Sequence, residues 1–207
     1  MVPTFEDVRD RIAPILSVLH GLLEAGCQSA REFFEDRGHD LDPVLFPCLV
    51  RHEFISILTN GEWGKVVDRT KIANNGLALR YRGVHIRILK ADFAGDVPPP
   101  GKSKPKLAFF GQQLAFAFIE AGEEPDIVNV ILLWHTTKNH LLDHLSLACP
   151  QGGGSTRGSV RLHWHELLEH PAVTAIPVDG EIVIENDDDL DIAAIPDIDT
   201  AAEGEDA

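Results

Sequence analysis

Cysteine is scarce in this 207-residue chain: Cys27, Cys48 and Cys149 lie far apart, and no C-x-x-C occurs. An odd, dispersed set excludes a disulfide framework and predicts buried free thiols in a reducing compartment. No run of about 18 apolar residues exists, so no membrane span is expected. The N-terminal MVPTFEDVRDRIAP is charged and has no apolar stretch behind basic residues, which predicts no secretory leader and a cytoplasmic protein. Several motifs are missing. There is no G-x-S-x-G, no H-E-x-x-H, and no glycine loop ending in G-K-S/T. No internal repeat is visible. The last 29 residues contain no lysine or arginine at all.

Those same 29 residues hold 12 of the chain's 33 acids, against a formal net charge of −15 for the whole. Residues 65–107 hold 10 of its 18 bases and only 3 acids. The chain therefore divides into a helical N-terminal region (1–64), a β-rich body (65–178) forming one domain with it, and an acidic tail (179–207). With 44% hydrophobic residues, 10 Phe and 3 Trp, the body can build a core of ordinary size.

Thr4 and Asp7 form a capping pattern before Phe5, Val8, Ile12, Ile15, Leu16, Leu19, Leu22 and Leu23, which recur at helical spacing. Pro14 predicts a kink, and Gly26 a stop. Ser29–Glu32 then caps a second short helix, and Asp42-Pro43 a third that runs to Thr59. From residue 77 the period becomes two. Leu77, Leu79 and Tyr81 alternate with Arg80 and Arg82; after a turn at Arg82-Gly83, Val84, Ile86 and Ile88 alternate with His85 and Arg87. This predicts a β-hairpin with one wet face. PPPGKSKPK (98–106) reads as a stiff basic loop. A helix is favoured over the second half of residues 107–120. Strands are predicted at 127–136, 141–149 and 160–167, and QGGGSTRG (151–158) reads as a linker. The expected fold is α+β: N-terminal helices on one face of an antiparallel sheet of about five strands, followed by an acidic, largely disordered tail.

Six of the ten histidines fall within residues 135–170. His163 and His165, two apart on a strand, would sit about 7 Å from one another on one side. They could hold zinc or manganese, and His144 could join them if its strand pairs alongside. Without metal, His163, His165 and His144 could shuttle protons in a nuclease or phosphoesterase, with Arg161 or Arg87 on the phosphate. His135-Thr136-Thr137 resembles one half of the two-histidine phosphoesterase signature, whose second half is missing. The alternative is a wet strand face that uses histidine as a polar filler. Asp143 is expected to point away by alternation.

The basic candidates are Arg80, Arg82, Arg87 and Arg161, with Lys102, Lys104 and Lys106 in the proline loop. They suit phosphate contacts, but a net charge of −15 opposes long-range attraction to nucleic acid. In the tail, Leu190, Ile192 and Ile195 interrupt the acids. Acidic–hydrophobic alternation marks segments that order on a partner, with apolar anchors and a charge fence suited to a basic groove. The leading expectation is a cytoplasmic prokaryotic interaction protein, antitoxin- or immunity-like. Its tail would bind or shield a basic surface, either on a nucleic-acid-acting partner or on its own hairpin. No cofactor and no membrane partner is expected. The two alternatives are the histidine-dependent nuclease or phosphoesterase and a nucleic-acid-binding module on the hairpin.

Overall fold

The structure is a computed structural model that describes residues 2–60, 67–68, 77–92, 95–112, 128–154, 156, 158–169 and 182–184. Helix α1 (Phe5–Glu35) opens with the expected reciprocal cap: Thr4 Oγ1 accepts from Asp7 N, and the Asp7 carboxylate accepts from Thr4 N. It differs from expectation in length. The helix runs unbroken through Pro14 and Gly26 to Glu35, absorbing the predicted second helix. Gly26 is a packing position. A Cβ there would lie 2.8 Å from the Val50 carbonyl oxygen, so α1 and α2 approach closely only because that atom is missing. Helix α2 (Leu45–Asn60) follows Asp42, whose carboxylate accepts from Val44 N and Leu45 N. Those bonds hold the Asp42 carboxyl below its ordinary pKa.

Among the described residues, seven strands form one mixed sheet: β1 (Val67–Asp68), β2 (Ala78–Tyr81), β3 (Val84–Lys90), β4 (Val128–Thr136), β5 (Leu142–Gly152), β6 (Arg161–Leu168) and β7 (Ile182–Ile184). Their order is β1-β7-β2-β3-β4-β5-β6, with β2–β6 as the five principal strands. The β2–β3 turn falls on Arg82 (φ 46°) and Gly83 (φ 75°), the two left-handed residues that a two-residue hairpin needs. The sheet departs from all-antiparallel at β3 and β4, which run parallel from Val84↔Val128 to Lys90↔Trp134. The long connection between them makes this crossover feasible, and it carries α3 (Lys104–Phe110).

Both faces of the sheet are covered. Val128, Val130, Leu132 and Trp134 join Leu145, Leu147 and Cys149 under α1 and α2, in the larger core. Ile131, Leu133 and Ala148 pack with Val97, Phe109 and Phe110 on the other side. The expected wet face of the hairpin is therefore dry: His85 is 3% exposed and Arg87 7%. The cause is α3, which starts inside the proline-rich stretch read as irregular. Ser103 Oγ accepts from Lys106 N as its cap, a proline occupies its first turn, and Gly111 follows its end. Residues 113–120, where a helix was favoured, lie outside the described residues. Gln112 fastens α3 to the sheet: its Nε2 donates to the Asn129 and Pro150 carbonyls (2.9 and 2.8 Å), and its Oε1 accepts from Asn129 N at 2.9 Å.

Gln151 and Gly152 extend β5, so the predicted linker begins later than expected. Strand β7 pairs parallel with β1 and antiparallel with β2. The acidic segment after it, with Leu190, Ile192 and Ile195, lies outside the described residues.

Candidate functional site

Strands β4, β5 and β6 bring polar side chains together on the α3 side of the sheet. Alternation sends Ile131, Leu133 and His135 of β4 to that side, together with His144, Ser146 and Ala148 of β5; His165 pairs with Ala148. Ser146 is the centre of the group. Its Oγ lies 2.8 Å from His135 Nε2 and 2.9 Å from His165 Nε2. His144 stacks on His135, with ring centroids 4.1 Å apart and planes 16° from parallel. The Asp143 carboxylate lies 2.9 Å from His144 Nδ1. Asp143 reaches its neighbour because it is the extra residue of a bulge: His135 pairs with His144 and Thr136 with Leu142, so simple alternation fails there.

The protonation states follow from counting hydrogens. Ser146 has one hydroxyl hydrogen, which it gives to one imidazole while accepting from the other. With both rings neutral, His135 and His165 hold opposite tautomers. Their titration agrees. Burial, then the neighbouring His144 and His165, pushes His135 down to about 4. Burial also lowers His165, against the opposing pull of Asp96 and Glu166. Both rings are neutral at pH 7, and Ser146 between them is buried, 4% exposed.

The structure redistributes the predicted site residues. His144 and His165 enter the cluster, and His163 does not. Cys149 pairs with Trp164 and Pro150 with Leu162, leaving His163 as the extra residue of a second bulge. The bulge also puts Leu162 and Trp164 on opposite sides of the sheet. Leu162 packs on the α3 side. Trp164 packs on the helix side, edge-on to Phe5 and donating from Nε1 to the Pro3 carbonyl at 3.1 Å. His163 is exposed and takes no part in the hydrogen-bond chain. Among the described residues, no three histidine, cysteine, aspartate or glutamate side chains are grouped to hold a metal ion. Ser146 Oγ lies within hydrogen-bond distance of both His135 Nε2 and His165 Nε2.

The basic residues belong to three parts of the fold: the hairpin, the start of α3 and the start of β6. Arg87 lies beneath α3 with its guanidinium 5.1 Å from the Phe109 ring centre, and Arg80 pairs with His85. Arg82 projects at the turn, 5.3 Å from the Tyr81 ring. Lys104 and Lys106 belong to the first turn of α3, and Lys102 precedes its cap. Arg161 is exposed at the start of β6, opposite Gly152. Sequence reasoning missed Ser146 as the centre of the cluster. The signal was a serine two residues from His144, on the same face of its strand by alternation. No helix among the described residues is long and apolar enough to cross a membrane. Comparison with protein families, with curated proteins and with solved structures finds no match.

Proposed function

We propose that this chain is a cytoplasmic interaction protein whose acidic C-terminal segment engages a basic surface. In the resting protein that surface is its own hairpin; in the engaged state it belongs to a basic partner, in the manner of an antitoxin or immunity protein. One observation carries the reading. Strand β7 pairs with β2 through Leu79↔Ile184 and Arg80↔Val183, so the segment is anchored at the arginine hairpin. Ten acids and no base follow Ile184 in the sequence. Tethering at that point gives the segment a high effective concentration over Arg80 and Arg82, and a partner with a larger basic surface would compete for it. Leu190, Ile192 and Ile195 would supply the apolar anchors.

The test compares the full chain with a variant lacking residues 186–207, using two probes at low and moderate salt. A lysine- and arginine-rich peptide should bind the full chain and fail to bind the truncated one. A single-stranded oligonucleotide should bind the truncated chain more tightly. Equal behaviour of both chains toward both probes refutes the reading.

A second reading rests on the His135–Ser146–His165 chain. Neutral imidazoles on a serine hydroxyl are the arrangement by which a base activates that oxygen, as a phosphoesterase or nuclease would require. Hydrolysis of RNA, DNA and an activated phosphodiester, with and without zinc or manganese, tests it. Activity lost in Ser146→Ala and His165→Ala is the expected mark; an inactive wild-type protein retires it.

A further inference from the structure

On the helix side of the sheet, away from the histidine–serine cluster, Lys90 ends β3 at a seam with α2. Its ammonium lies 5.0 Å from the centre of the Phe46 ring and 5.5 Å from that of Trp134. It is half-buried, and no carboxylate of the described residues lies within ion-pairing distance of it. Two more side chains with an unpaired polar atom pack on the same phenyl ring. Trp134, whose ring centre is 6.3 Å from that of Phe46, is 0% exposed, and its Nε1 has no hydrogen-bond partner. His140, with ring centres 5.2 Å apart, has a buried Nδ1 that is also without a partner. Folded proteins seldom leave one such atom unpaired. Here two of them belong to rings that pack on the same phenyl group as an ammonium with no carboxylate partner among the described residues.

The chemistry of the three groups narrows what would satisfy them. Trp134 Nε1 can only donate, the Lys90 ammonium can only donate, and His140 Nδ1 donates in one neutral tautomer. A metal cation finds at most one lone pair among them, on His140 Nδ1 in its other neutral tautomer, and two groups that can only donate. One water can accept from two donors, and it leaves the charge uncompensated. An oxyanion offers several lone pairs and the missing negative charge. The turn that carries His140 is fixed, because His140 N donates to the Thr137 carbonyl and Leu141 N to Thr137 Oγ1. Lys90 and His140 are both partly exposed and so provide the way in.

We propose that Lys90, Trp134 and His140 form a binding site for a small oxyanion, a carboxylate or a phosphate, at the seam of α2 with the ends of β3 and β4. Burial holds the Lys90 ammonium below its ordinary pKa, and a bound anion would reverse that shift. The site is independent of the acidic segment and of the serine chemistry.

The test follows the indole N–H signals of the 15N-labelled full chain, with the Trp134 signal identified by its loss in Trp134→Phe. Sodium acetate and sodium phosphate are titrated separately at constant ionic strength, with chloride as control. The Trp134 signal should move saturably with at least one of them, and Lys90→Met should weaken that binding tenfold or more. A shift with acetate alone assigns a carboxylate ligand, and one with phosphate alone a phosphoryl ligand. The Trp164 signal, which reports its bond to Pro3, shows whether each variant is folded. Should Lys90→Met not fold, Lys90→Gln takes its place. No saturable shift with either anion overturns the proposal, as does equal affinity in the folded Lys90 variant.

Discussion

Acid should weaken this fold through His135 well before carboxylates begin to protonate. In the unfolded chain the ring takes its proton near its ordinary pKa of 6.5; in the native chain it does so at about 4. A base whose folded pKa is depressed contributes fully above the unfolded value. Its contribution is lost as pH falls from about 6.5 to about 4, and then levels off. The two values differ by about 2.5 units, a ceiling of roughly 3.4 kcal/mol at about 1.36 kcal/mol per unit. The ring is only half-buried, and solvent screening reduces this to about 1–2 kcal/mol. The structural cause is specific. A protonated His135 must donate to Ser146 while lying beside His165 and against His144. Urea denaturation at several pH values between about 7 and 4.5 measures the effect, with His135→Gln as the variant that removes the titration. Wild type should lose about 1–2 kcal/mol more than His135→Gln over this range. If the two lose stability in parallel, or if wild type gains it, the assigned burial and hydrogen-bonding of His135 are wrong.

Gly26→Ala would place a methyl group 2.8 Å from the Val50 carbonyl oxygen, which α2 cannot move cheaply; a loss of about 1–3 kcal/mol is expected in the urea midpoint. Gln112→Ala removes three hydrogen bonds joining α3, β4 and β5, with an expected loss of about 2–3 kcal/mol by the same measurement. Burial pushes the Cys27 thiol up to about 12 and the Cys149 thiol up to about 11. Iodoacetamide at about pH 8 should therefore modify Cys48 alone in the native chain and all three thiols in denaturant, as read by mass spectrometry.

The elements whose signal is local were readable from sequence. The Thr4–Asp7 cap, the apolar stripe of α1, the Arg82-Gly83 turn and strands β4, β5 and β6 each follow from side chains a few residues apart. The errors have one origin. Gly26 reads as a helix stop because sequence does not show Val50 lying against it. Arg87 and His85 read as wet because the helix that covers them comes about 20 residues later, inside a proline-rich stretch. His163 and His165 read as one face because period two assumes an unbroken ladder, and a bulge depends on how β6 meets β5. His144 was placed among the candidates on the condition that its strand pairs with β6, and the pairing exists.

Sequence alone determined the charge division, the class of fold and the helical and extended periods, because these depend on composition and on neighbours along the chain. Tertiary structure decided the parallel pairing of β3 with β4 and the burial of both faces of the sheet. It also decided the meeting of His135, Ser146 and His165 and the convergence of Lys90, Trp134 and His140 on Phe46. Each of these joins residues from separate strands and helices. Such contacts depend on strand order, register and bulges, which are fixed by the packing of the whole core and not by any local pattern.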